Sequence, residues 1–257
     1  MTGVFSVVGE RTKGHMMSNS TFITRVRLSN YKSIASCDVP LYPLMFLVGP
    51  NGAGKSNFLD ALHFVADALR VSLDHALRDR GGINEVRRRS TGHPTHFRIH
   101  LDFKLGSGAT GDYSFRVRAK PDGGIEVQEE ECRVLHPEPA SLGDETYFRV
   151  QRGVVRSSAE APPPAAADRL YLVNASGLPE FRLVYEELSR MGFYNLNPDR
   201  MSDLQLPDPG ELLKRDGSNL ASVFDQLGKR NQVAKQRIEE FLAKVVPGIV
   251  GVASRVF

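Results

Sequence analysis

Three hydrophobic patterns follow one another along this chain. An unbroken apolar run, Leu44–Val48, is followed by eight residues with no large apolar side chain. Phe58, Leu62, Val65 and Leu69 then recur at helical spacing. The run predicts a buried strand, and the stripe predicts a helix from Lys55 to about Arg70. From Phe97 the period becomes two: Phe97, Ile99, Leu101 and Phe103 alternate with Arg98, His100, Asp102 and Lys104. Tyr113, Phe115 and Val117 repeat the alternation after a Gly106–Gly111 turn, Ile125 opens a third strand, and Tyr147–Val155 supplies a fourth. Such a series predicts an antiparallel meander with one buried and one wet face.

Either side of these elements the pattern is looser. Met1–Ser20 has no periodicity and is expected to be a flexible extension, with Met17 an alternative start to Met1. Ile23, Val26, Leu28 and Ile34 predict a strand, a turn at Ser29–Asn30 and a second extended piece. The segment 157–168 contains three consecutive prolines and predicts a linker. Beyond it come an expected strand at Leu170–Val173 and a helix opened by Pro179, with Phe181, Val184, Tyr185 and Leu188 as its stripe. A helix Asn219–Leu227, capped by Ser218 and closed by Gly228, is expected next. The last expected helix, Val233–Val246, turns Ile238, Phe241, Leu242 and Val245 inward. The organisation expected is an extension (1–20), a lobe with an antiparallel subdomain (21–156), the linker, and a mainly helical lobe (169–257).

The eight residues between run and stripe carry the chemistry. Gly49, Pro50, Asn51, Gly52, Ala53, Gly54, Lys55 and Ser56 spell G-x-x-x-x-G-K-S, the phosphate-binding loop. Glycine at these places lets successive N–H groups turn inward around an anion. The following helix adds its positive end. Lys55 is placed to reach the β- and γ-phosphates, the Ser56 hydroxyl to ligate Mg²⁺, and Asn57 to border the same site. A nucleoside triphosphate with Mg²⁺ is thus the expected ligand. The run Arg87–Arg89 reads first as a solvated loop and second as a phosphate or nucleic-acid contact. His63 has no second ligand at helical spacing, and His93, His96 and His100 lack a completing cysteine or carboxylate.

Composition narrows the class without choosing a partner. The net charge of +3 is too small to argue for nucleic acid alone. Cys37 and Cys132 form neither a metal-ligand spacing nor a disulfide framework, which suits a reducing cytoplasm. No apolar run is long enough to span a membrane.

With the loop and its flanks quoted, a resemblance follows. ITRVRLSNYKSI followed by LVGPNGAGKSNFLDAL resembles the head of ABC-type ATPases of the RecF and structural-maintenance-of-chromosomes group. FRLVYEELSRMGFYNLNPDRM and LLKRDGSNLASVF look like the bacterial, RecF-like branch of predicted AAA-family ATPases. The resemblance implies an α/β P-loop NTPase lobe with an antiparallel β-subdomain and a helical lobe. It implies that Lys32 lies near the nucleotide phosphates and that Gln128 or Gln151 serves as the Q-loop glutamine. It also implies an Asp–Glu strand and a signature sequence, neither of which occurs here; LVYEE, with Glu186 and Glu187, lies within a helical stripe. The expectation is therefore a chain that stops before the hydrolysis motifs, binds ATP, and is completed by a homodimer or a partner chain, with DNA contact only weakly supported. Two other classes stay open: a non-catalytic nucleotide-binding subunit, and a P-loop kinase or GTPase, the latter lacking N-K-x-D.

Overall fold

The structure, a computed structural model, describes residues 6–9, 22–90, 94–121, 123–140 and 143–254. The expected extension, apart from Ser6–Gly9, lies outside these residues, as does His93. The chain divides into two compact units, Met1–Met191 and Gly192–Phe257.

The first unit is built on a seven-stranded antiparallel sheet in the order β3-β2-β5-β6-β7-β8-β9. Its strands are β2 (Ile23–Tyr31), β3 (Ile34–Pro40), β5 (His96–Lys104), β6 (Thr110–Ala119), β7 (Ile125–Ala140), β8 (Gly143–Gln151) and β9 (Val154–Ser157). Between β3 and β5 the chain forms β4 (Met45–Val48), the helix α1 (Lys55–Arg70), and the short helices α2 (Leu73–Arg78) and α3 (Ile83–Val86). β4 pairs antiparallel with β1 (Ser6–Gly9).

The two predicted periods account for the core. The period-two residues Phe97, Ile99, Leu101, Tyr113, Phe115 and Val117 are all buried, and so is the α1 stripe. Phe64 of α1 sits against Tyr31, Phe97 and Phe115 of the sheet, with ring centroids 6.1, 5.4 and 6.3 Å away. Edge-to-face contacts at this range add to area burial. The expected fourth strand resolves into a hairpin of two, β8 and β9, turned at Arg152–Gly153.

Several expectations differ from the structure. β2 runs through Ser29 to Tyr31, and the turn falls at Lys32–Ser33. Asn30 takes a left-handed φ of 56° within the strand, and its carbonyl accepts a bond from the Arg88 N–H. The apolar run Leu44–Val48, expected to be a buried strand, is only partly covered: Leu44, Phe46 and Val48 are 59, 60 and 48% exposed. Leu170–Val173 is not a strand; Tyr171–Ala175 is a helical turn, α4. Its cause is Glu130 on β7, whose buried carboxylate accepts the N–H groups of Tyr171 and Leu172. Helix α5 (Pro179–Ser189) follows, with Phe181, Val184 and Leu188 buried as expected. Residues 169–191, expected in a separate helical lobe, thus pack within the first unit. Phe148 holds them there, 4.8 Å from the Tyr171 ring and 5.1 Å from Phe181.

The second unit contains α6 (Pro198–Ser202), α7 (Leu220–Arg230) and α8 (Gln232–Val245). Ser218 does not cap α7; the N-cap is Asn219. The Asn219 amide instead donates to the Leu212 carbonyl and accepts from the Lys214 N–H, which ties the preceding loop together. α7 also continues through Gly228. Of the stripe expected to face inward on α8, Ile238, Phe241 and Val245 are 38, 55 and 77% exposed, and Leu242 is partly covered.

Candidate nucleotide site

The loop from Gly49 to Gly54 joins β4 to α1 through positive φ values of 80° at Gly52 and 96° at Gly54. These belong to the left-handed region where a Cβ is costly, which is why the motif needs glycine there. Gly49, Pro50, Asn51 and Gly52 are exposed, Ala53 and Gly54 are buried, and Ala53 N–H closes a tight turn on the Pro50 carbonyl at 3.2 Å. Gly54 is the N-cap of α1, with no side-chain cap and no acidic residue in the first turn. The first N–H groups of a 16-residue helix therefore lack a side-chain acceptor and face the loop. This is the donor set an anion requires.

The side chains around the loop fall into two groups. Lys55 folds back across it, its Nζ donating to the carbonyls of Gly49 at 2.7 Å and Pro50 at 2.8 Å. Ser56 is exposed on the first turn, and Asn57 Nδ2 donates to Ser33 Oγ at 2.7 Å. Lys32, at φ 46°, is pinned by its own N–H to the Val86 carbonyl, and its Nζ lies 2.6 Å from Asp60 Oδ2. Asp60 also accepts from Tyr31 OH at 2.8 Å and from Arg80 Nε at 2.9 Å. Burial acts to raise the Asp60 carboxyl, but its bonds to Lys32 and Tyr31 and the Arg80 charge outweigh it and hold it below the usual carboxylate range. Arg80 continues the network to Asp67 at 3.0 Å and stacks 5.3 Å from the Phe64 ring centroid.

Beside the loop a cleft of about 490 Å³ is lined by Lys32, Ser33, Asn57 and Arg80 and by Glu85, Arg87 and Arg89. Arg87 donates to the Pro94 carbonyl, while Arg89 is exposed, as expected for a solvated loop, and pairs with Glu85. The motif indicated neither Arg80, which lines this cleft, nor Asp60, which pairs with both Lys32 and Arg80. Asp60 stands four residues after Ser56, hence on the same helix face, which is the signal that was present.

Other candidates lie elsewhere. Gln128 and Gln151 line a separate groove on β7 and β8 and do not border the loop cleft. Glu186 and Glu187 lie on α5, Glu186 pairing with Arg190. Asp102 is bound to Arg27 on the wet face of the sheet. His63 pairs with Asp67 at 3.3 Å. Among the described residues no group of three or more His, Cys, Asp or Glu could hold a metal ion. No described helix is long and apolar enough to cross a membrane.

Strand, glycine loop and uncapped helix, set beside an antiparallel sheet, define a P-loop NTPase fold of the α/β class. The chain belongs to the family described as "AAA domain, putative AbiEii toxin, Type IV TA system", whose profile matches residues 44–203. It is 41% identical over 63 residues to the DNA replication and repair protein RecF of Corynebacterium jeikeium, covering 23% of this chain and 15% of RecF. It is 30% identical over 98 residues to the OLD nuclease of Thermus scotoductus, covering 38% of this chain and 18% of that protein. It is 26% identical over 202 residues to the chromosome partition protein Smc of Coxiella burnetii, covering 71% of this chain and 17% of Smc. The chain thus corresponds to less than a fifth of the length of each of these relatives. Together the family and these relatives show that the chain is similar to the P-loop segment of RecF- and SMC-type proteins.

Proposed function

We propose that this chain binds Mg-ATP at Gly49–Ser56 and forms one part of an ATP-driven machine whose water-activating groups lie outside the described residues. One observation carries the reading: the glycine loop opens onto the uncapped N-terminus of α1 with the Lys55 ammonium folded over it. In this reading Lys55 exchanges its two carbonyl partners for phosphate oxygens, backbone N–H groups hold the β-phosphate, and Ser56 orients the metal. Mg²⁺ supplies charge neutralisation between the phosphates when bound.

Hydrolysis also needs a side chain, often a carboxylate or a glutamine, that positions the attacking water. Asp60, the carboxylate nearest in sequence to the loop, is engaged by Lys32, Tyr31 and Arg80 and has no free role. Binding without contacts specific to the transition state lowers no barrier. The chain on its own is therefore expected to bind ATP and turn it over very slowly, with a second copy or a partner chain completing the site. Contact with DNA, if it accompanies this role, rests on dispersed basic groups and weakens steeply with salt. The test is phosphate release by the purified chain with Lys55→Ala as background. Release no faster than that background supports the reading, whereas turnover that Lys55→Ala abolishes overturns it.

A further inference from the structure

A second cavity, of about 510 Å³, lies on the sheet face away from α1, across β6 to β9, and shares no residue with the loop. Its charged lining is Arg116, Arg149, Arg152 and Arg156 against the single carboxylate Glu129, with the Gln151 amide between them. Cross-strand register explains the convergence. Arg116 stands opposite Glu129, Glu129 opposite Gln151, and Arg149 opposite Arg156, so alternation delivers all of them to one face. A bulge at Gln128 bends β7 here, and the Gln128 carbonyl accepts the Arg152 N–H at 3.1 Å.

Solvated cross-strand ion pairs account for part of this charge. Arg149 lies 2.7 Å from Glu131, and Arg116 lies 3.8 Å from Glu129. They do not account for the rest. Among the described residues Arg152 and Arg156 have no carboxylate partner, and Arg116 Nε is buried without a hydrogen-bond acceptor. Arg152 is also conformationally costly. It occupies the first place of the two-residue β8–β9 turn at φ 48°, with Gly153 at 81°. Turns of this kind favour Asn or Gly at that place, because both central residues need positive φ. The fold would be relaxed by Asn; the arginine instead carries a guanidinium to the cavity rim.

We propose that this cavity is a second anion site, taking a phosphate-bearing ligand of nucleotide size. Guanidinium forks match phosphate oxygens bidentately, and the volume falls within the range of small-ligand pockets. No aromatic side chain lines the cavity, so it lacks the stacking platforms that a single nucleic-acid strand uses. The phosphate could belong to a free nucleotide or polyphosphate, or to a strand end, and the test separates these sources.

Tripolyphosphate, ATP and a single-stranded oligonucleotide are titrated by calorimetry into the parent chain, Lys55→Ala, and Lys55→Ala combined with Arg152→Asn or Arg156→Gln. Lys55→Ala is expected to retain one saturable site for tripolyphosphate, and each added substitution to weaken it about tenfold. Arg152→Asn should at the same time raise the melting temperature by about 2–4 °C, because the turn is relaxed. That pairing of higher stability with weaker binding is what a purely structural arginine would not give. Unchanged affinity in both arginine variants, or no saturable site in Lys55→Ala, would overturn the proposal. Binding of the oligonucleotide alone would overturn the compact-ligand assignment. Loss of the loop's own ATP site in Lys55→Ala bears only on the proposed ATP function, so the two readings fail separately.

Discussion

Helices α1 and α8 each carry an apolar stripe at helical spacing, and the two stripes meet different fates. Phe58, Leu62, Val65 and Leu69 of α1 are buried, packed beneath an aromatic sheet face. On α8, Ile238, Phe241 and Val245 are exposed, and Arg237 and Lys244 lie over the Phe241 ring at 5.9 and 5.5 Å. Periodicity identifies which face of a helix is apolar; it does not say that anything covers that face. In the first unit the cover is the period-two face of the sheet. In the second, among the described residues, lysine and arginine stems partly stand in for it.

The contrast should be visible in stability. Phe64→Ala removes the ring that bridges α1 to three sheet aromatics and is expected to cost about 3–5 kcal/mol by urea unfolding. A cost below about 1 kcal/mol would mean that the α1–sheet packing is not the core described.

The next largest effect concerns Glu130. Its carboxylate, 1% exposed, accepts bonds from Tyr113 OH and from the α4 N–H groups. Glu130→Ala strands those donors and should cost about 2–3 kcal/mol. Burial pushes this carboxyl up to about 7 despite the three donors that favour its charged form. A raised folded value means that the folded state binds the proton more tightly than the unfolded state. The contribution is therefore fully present below the ordinary carboxylate range and is lost as pH rises through about 7. Thermal melts between pH 5 and 8 should show the parent losing stability with rising pH more steeply than Glu130→Gln. Parallel profiles would place the Glu130 titration elsewhere.

Asp60 runs the other way. Its depressed carboxyl contributes stability above the ordinary carboxylate range that disappears as pH falls through its folded value. Asp60→Asn keeps the shape but leaves Lys32 and Arg80 without their shared charge, and about 1–2 kcal/mol of destabilisation is expected. Melting curves at pH 7 give the result, and no change would show that the network around the loop is ornamental to the fold. Smallest of all, Phe241→Ser on α8 should fall within about 0.5 kcal/mol of the parent. A large loss there would show that the α8 stripe is covered in solution, which would erase the contrast.

How much the sequence disclosed follows the same division. The phosphate loop, α1 and the meander were legible because each is specified by neighbours in sequence: a motif, a 3.6 period and a 2 period. The α4 turn was not, because Leu170–Val173 has strand composition and its helical form depends on Glu130, some forty residues earlier. The Ser218 cap failed for a related reason: the Asn219 side chain is committed to Leu212 and Lys214, and the helix starts one residue later. Around the loop, the spacing placed Lys55 and Ser56 at the start of α1, whereas the position of Arg80 was hidden. Only folding brings it to Asp60 and Asp67.

The account rests most directly on the loop as an ATP site. The measurement is a calorimetric titration of ATP with Mg²⁺ into the parent, Lys55→Ala and Ser56→Ala proteins, each repeated in an Arg152→Asn background that weakens the second site. The account predicts saturable binding that Lys55→Ala weakens tenfold or more, about 1.4 kcal/mol. It predicts that Ser56→Ala reduces the dependence on Mg²⁺ while leaving metal-free binding intact. Superimposable curves for parent and Lys55→Ala would contradict it.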